Sequence, residues 1–388
     1  MQLSDFLSPV KESVFDSIKE SSPGSLVNVL DIHVKKIPDI ENIHLAIIGV
    51  KEDRFQEDHA GAMMTPDEIR KHFYKLVKPK PEIKIADLGN IEPGKNISDT
   101  LFALKSCVQY LLERKIITII LGGTQDLAYS QFAAYEGLNP NLNLICVDAK
   151  IDLKANESSP EDSPYLFKTI SHQPNYLFNI VHMGNQNYFV EQESLDSFEK
   201  MNFDMLRLGN MRNNTQESEP LLRNADMMMM SMNAIRASDS PASIEANPNG
   251  LYGEEACQVA RYSGMSNEIS SIGFYDLNTT KDVDGRSAKL LSQMLWYFIQ
   301  GFYNRKNDYP NADSKDYMIY RTSFVKNDYE IVFYKNIFTE RWWMEVPYPK
   351  EKSRHKGKFL VPCSYSDYEA ALKDEIPDRW MKAYHKLF

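Results

Sequence analysis

The segment Asp148-Ala149-Lys150-Ile151-Asp152 directly follows the apolar run Leu142-Asn143-Leu144-Ile145-Cys146-Val147. Such a run reads as a buried strand that delivers charged side chains at its carboxyl end. In an extended segment side chains alternate, so the spacing predicts that Asp148, Lys150 and Asp152 share one side, with an ammonium between two carboxylates. Two carboxylates so placed suit a metal ion, but a lysine stands where the ion would sit. Lys150 is expected to act as their internal counter-ion. Opposed carboxylates would also keep the amine protonated, which disfavours a nucleophilic or Schiff-base role.

The elements that must hold this segment alternate along the chain. His44 to Val50, Ile83 to Leu88, Ile116 to Leu121, Leu142 to Val147, Tyr176 to Met183, Met227 to Met232 and Ile269 to Phe274 read as strands. Helices are predicted over Pro66 to Leu76, Thr100 to Arg114, Glu254 to Tyr262 and Arg286 to Tyr303. That order implies an α/β fold with three layers, a mainly parallel sheet between helices, and ligands at the carboxyl ends of the strands. Ahead of it, Leu3, Phe6, Leu7, Val10, Val14, Phe15 and Ile18 recur at helical spacing and predict an amino-terminal helix ended by Ser22-Pro23-Gly24.

Beyond Asn304 the chain becomes rich in aromatic residues. Tyr329 to Tyr334 and Arg341 to Val346 read as antiparallel strands, and Tyr368 to Tyr384 as a closing helix. The expected organisation is an N-terminal helical extension over 1–42, the α/β domain over 43–305 and an α+β extension over 306–388. Trp342, Trp343 and Trp380 are assigned to the core of the extension rather than to a recognition surface. The run Met227 to Met230 reads as adaptable core filling.

Composition narrows the function classes. The chain has 388 residues, 43% of them hydrophobic, and a formal net charge of -10. A dispersed, net acidic charge argues against a nucleic-acid partner. Cys107, Cys146, Cys257 and Cys363 lack the short paired spacings of a zinc ribbon or a disulfide framework. No apolar run approaches the ~20 residues that cross a bilayer, so a cytoplasmic protein without a membrane partner is expected.

Several segments, taken in order, resemble the ureohydrolase superfamily of arginase, agmatinase and formimidoylglutamase, with the last branch nearest. They are Ile47-Ile48-Gly49-Val50, Gly61 to Arg70 with its Ile69-Arg70 pair, Ala86-Asp87-Leu88-Gly89, Gly122-Gly123, Asp148 to Asp152, Met183-Gly184-Asn185-Gln186 and Gly250-Leu251. The resemblance implies an arginase-like fold and hydrolysis of guanidino or formimino carbon–nitrogen bonds by water held on two manganese ions. It also implies a homo-oligomer.

The ligand motifs depart from that pattern. Where the superfamily has Gly-Gly-Asp-His-Ser, this chain has Gly122-Gly123-Thr124-Gln125-Asp126, so an imidazole becomes the amide of Gln125. Asp126 is the candidate rescue ligand, although one step along a strand reverses side-chain direction. In the second motif Asp148 and Asp152 remain and Lys150 replaces the histidine. The third motif is matched by Ser231-Met232-Asn233-Ala234-Ile235, in which Asn233 and Ile235 replace two ligand carboxylates. Asp276 stands where the resemblance places a catalytic glutamate, and His172 and His182 read as structural.

These six ligand positions retain two carboxylates and no imidazole, and they gain an ammonium. The expectation is a non-catalytic member of the fold with no cofactor, sensing a guanidino or formimino ligand or serving as a scaffold. Removing Lys150 should then cost ~3–5 kcal/mol, as for one partner of a buried pair. The alternative is an active hydrolase of linear amidines with a rebuilt manganese site, helped by Asp126 or Asp276.

Overall fold

Nine parallel strands form the central sheet of the computed structural model, which describes all residues except 1–2, 20, 56–58, 80–83, 157–162, 311–314, 325–328, 348–357 and 388. They are β1 (Asp31–Ile32), β2 (Leu45–Val50), β3 (Ile85–Ile91), β4 (Ile117–Leu121), β5 (Leu142–Val147), β6 (Leu177–Met183), β7 (Asp204–Leu206), β8 (Met227–Ser231) and β9 (Ser271–Tyr275). Their spatial order is β1-β3-β2-β4-β9-β8-β5-β6-β7, and every pairing is parallel. All carboxyl ends therefore open on the same edge of the sheet.

Helices cover both faces. They are α1 (Glu12–Asp16), α2 (Thr65–Phe73), α3 (Ile97–Leu112), α4 (Ala128–Ala133), α5 (Tyr165–Ser171), α6 (Gln192–Lys200), α7 (Leu208–Asn213), α8 (Ser218–Arg223), α9 (Gly253–Met265) and α10 (Arg286–Phe302). One core joins Ile69 and Phe73 of α2, Val259 of α9 and Phe298 of α10 to Ile47, Met228 and Met230 of the sheet. The other joins Leu104 and Val108 of α3, Phe132 of α4 and Phe198 of α6 to Ile48, Met227 and Met229. The methionine run thus fills both cores, because alternate residues of a strand face opposite sides. This is a three-layer α/β architecture.

A separate antiparallel sheet follows, built from β10 (Tyr317–Phe324), β11 (Tyr329–Asn336), β12 (Trp342–Pro347) and β13 (Lys358–Cys363) in that order. Two helices, α11 (Tyr365–Leu372) and α12 (Asp378–Leu387), close it. Trp342, Trp343 and Trp380 are buried, as their assignment to the core required. Polar contacts tie this unit to the parallel sheet and to α8: Lys382 pairs with Asp204 of β7 at 3.1 Å, and Arg223 of α8 donates to the Trp342 carbonyl at 2.7 Å.

Two helical expectations fail at prolines. The apolar spacing from Leu3 to Ile18 does not form one helix; a 3-10 turn at Leu3–Asp5 and the short α1 flank a bridge in which Ser8 exchanges two backbone hydrogen bonds with Asn90. Pro9 lacks an N–H and constrains Ser8 to extended backbone, yet Leu3, Leu7, Val10, Val14 and Ile18 still reach the core. Likewise Tyr368 to Tyr384 splits into α11 and α12, because Pro377 stops a continuous helix. The short β1 and β7 and the short helices α4, α5, α7 and α8 carry too little periodicity to read in advance, whereas β10, β13 and α6, with eight, six and nine residues, are additions to the elements read from the sequence.

All four cysteines are free and buried. Among the described residues no helix is long and apolar enough to cross a membrane.

Candidate active site at the strand carboxyl ends

Strands β4, β9, β8 and β5 are consecutive neighbours in the middle of the sheet, and their carboxyl ends bring the motif residues together. After β4 the chain makes a tight turn through Gly122-Gly123. A Cβ on Gly123 would lie 2.2 Å from the Glu52 carbonyl oxygen, so only glycine allows this passage. Gln125 then opens a 3-10 turn and donates its backbone N–H to Asp276 Oδ1 at 2.8 Å.

Asp276 is the hub. It follows β9 with a left-handed backbone, φ 64°, a conformation that aspartate adopts more readily than most residues. Its Oδ2 accepts the Ser231 hydroxyl at 2.6 Å, and its own N–H donates to the Gly123 carbonyl at 2.7 Å. Ser231 in turn accepts the Asn233 N–H at 3.1 Å, and Asn233 Oδ1 accepts the Glu245 N–H at 2.8 Å. The β8–β9 side of the site is therefore cross-linked by its own polar groups.

Asp148, the first residue beyond β5, is also buried, and its Oδ1 accepts the Ala149 N–H at 2.6 Å. Burial pushes this carboxyl up to about 7, with the Glu245 charge adding to the rise and nearby N–H groups and Lys150 opposing it. Asp276 is raised well above the usual carboxylate range, first by burial and then by Asp148. Each acid thus makes ionisation of the other harder, and the two titrate as a coupled pair.

The expected counter-ion role of Lys150 is contradicted. Its ammonium meets Glu245 Oε2 at 2.5 Å, and its side chain is 42% exposed. The strand ends at Val147, so the alternation that put Asp148, Lys150 and Asp152 on one side stops there. Ile151 turns inward instead, while Asp152 is exposed and accepts the Lys154 N–H at 3.3 Å. An exposed ion pair is worth ~0–1 kcal/mol, so Lys150→Ala should unfold within about that margin of the parent rather than the ~3–5 kcal/mol expected of a buried pair. Chemical denaturation of the two proteins side by side checks this.

The remaining positions fall as follows. Ile235 is fully buried and pairs across a bridge with Leu251, serving the core. Asp126 lies on the 3-10 turn after β4, not on a strand, and accepts the Thr124 hydroxyl at 2.9 Å. His172 meets the Tyr129 hydroxyl at 2.9 Å within an aromatic cluster, and His182 is buried against Phe198, where desolvation lowers it to about 4. Glu245, the partner of Lys150, went unread: it sits in an irregular loop, and no motif or period marks it.

With this geometry in place, residues 43–300 match the Arginase family, and the chain belongs to that family. A formimidoylglutamase of Staphylococcus aureus (strain JH9) is 24% identical over 280 residues, spanning 66% of this chain and 86% of the relative. A Trypanosoma cruzi formiminoglutamase solved with Mn2+ superposes with a TM-score of 0.65 at 18% identity, covering 73% of this chain and 99% of the other. The Bacillus subtilis formimidoylglutamase gives 0.63 at 17% identity, over 72% and 92% respectively. The resemblance in fold and family read from the motifs holds.

A binuclear manganese centre does not fit the side chains found here. Both Asp276 oxygens accept internal hydrogen bonds, Asn233 Oδ1 is engaged by Glu245, Asp152 faces solvent, and Ile235 has no donor atom. Among the described residues no group of three or more His, Cys, Asp and Glu side chains is placed to hold a metal ion. Amides and an ammonium are poor substitutes for the imidazoles and carboxylates that such ions select.

Proposed function

We propose that this chain is a non-catalytic member of the arginase family whose strand-end site senses a small ligand. The observation that carries this reading is the engagement of Asp276 by Gln125 and Ser231, which leaves the acid at the position of the family's catalytic glutamate tied into the scaffold. Activation of water needs an open metal or a base free to take a proton; among the described residues no group is placed to hold a metal, and Asp276 is not free. The ligand class proposed is a guanidino or formimino amino acid.

A hydrolase of linear amidines is the second reading. It is favoured by the formimidoylglutamase relatives and by the Asp148 carboxyl near 7, a value suited to proton transfer at neutral pH.

Thermal shift of the full chain against arginine, agmatine and formiminoglutamate, each with a chelator and with manganese, tests the sensing role. A ligand-induced rise in Tm that survives the chelator is expected. No shift with any of the three would reject ligand sensing and leave scaffolding.

A further inference from the structure

A cavity of ≈ 620 Å³, separate from the strand-end site, lies at the opposite edge of the parallel sheet. Its walls come from both units: Asn143 and Phe178 near the amino ends of β5 and β6, Asp226 and Glu268 just before β8 and β9, and Tyr309 and Phe359 from the carboxyl-terminal part. That volume lies in the range of about 300–1,000 Å³ typical of small-molecule sites.

Charge sets the kind of guest. Two carboxylates line the cavity, and among its described lining residues none is basic. Asp226 is held only by neutral donors, the Asn143 N–H at 2.7 Å, the Asn143 amide at 3.0 Å and the Asn139 amide at 2.9 Å. Burial pushes Asp226 up to about 6, and the Glu268 charge adds to that rise. Lys386 is held by Asp204 and Asn179, while Arg305 donates to the Gly264 and Ile269 carbonyls and its charge also feels Glu268. Phe178 and Phe359, with ring centroids 6.2 Å apart, add faces that attract an ammonium.

We propose that this cavity binds an organic ammonium ion carrying an aromatic or aliphatic body, with Asp226 and Glu268 facing the charge and Phe178, Tyr309 and Phe359 packing on the body. The proposal stands independently of the reading given to the strand-end site.

The test uses the full chain and three probes of one shape: phenethylammonium, 2-phenylethanol and 3-phenylpropionate, followed by calorimetry and saturation-transfer NMR. The ammonium should bind roughly tenfold or more tighter than the alcohol, the effect of one ion contact with cation–π support, and the carboxylate should not bind. Glu268→Gln, at an exposed position that tolerates substitution, and Phe359→Ala should each weaken the ammonium several-fold. Asp226→Asn should do the same if it folds, and Glu268→Gln decides the matter if it does not. No ammonium binding at millimolar concentration, or equal binding of all three probes, would overturn the proposal. So would binding that Glu268→Gln leaves intact and Asp276→Asn removes, since that would move the guest to the other edge of the sheet.

Discussion

Arg70→Ala is expected to lower the free energy of unfolding by about 3–5 kcal/mol, the cost of leaving a buried charge without its partner. Arg70 is fully buried; Nε and Nη2 each reach an Asp87 oxygen at 2.8 Å, Nη1 reaches Asn90 at 2.6 Å, and Nη2 also meets the Gly89 carbonyl at 2.9 Å. This one guanidinium fastens α2 to β3. Without it Asp87 keeps only the Tyr74 hydroxyl at 2.8 Å and the Gly89 N–H at 3.1 Å. Arg70→Lys should recover only part of the loss, because an ammonium cannot reproduce the two-pronged contact. Urea denaturation measures both variants; a loss below about 1 kcal/mol for Arg70→Ala would contradict the assignment.

Asp276→Leu is expected to cost about 3–5 kcal/mol, combining two orphaned buried donors, on Gln125 and Ser231, with a leucine in left-handed backbone. Asp276→Asn should stay within about 1 kcal/mol, because asparagine tolerates that backbone and retains an oxygen for the Gln125 N–H. The pH dependence separates the two acids from their neutral replacement. Both folded-state values lie above the ordinary 3.8, so the stability they contribute is complete below 3.8 and is lost as pH rises through about 7, where Asp148 ionises. The parent should therefore lose stability over that window, and Asp276→Asn should lose less of it. Equal pH profiles for the two proteins would remove the coupled pair from the account.

The strands that carry the site were legible because they are buried on both faces and read as continuous apolar runs. Leu142 to Val147 forms β5 with the boundaries that its composition suggests. The long α3 and α10 were legible from their spacing. Short helices such as α4, with six residues, have no full period to show, and Pro9 and Pro377 mattered more than the apolar spacing around them.

At the site, residue types were legible but their directions were not. Alternation predicts direction only inside a strand, and Lys150 lies three residues past the end of β5, where a loop turned it toward Glu245. That partner comes from a different part of the chain, and only the closed fold brings the two together. Asp276 was identified by position, whereas its role as a hub depends on the turn after β4 and on Ser231, which the third motif names without showing what its hydroxyl meets.

Metal content of the full-length protein, purified from cells grown in manganese and assayed alongside for release of urea, ammonia or formamide, tests the central claim most directly. The account predicts manganese far below one ion per chain and no product above the uncatalysed background. Stoichiometric manganese that leaves with a chelator and takes hydrolysis of a guanidino or formimino substrate with it would contradict the account.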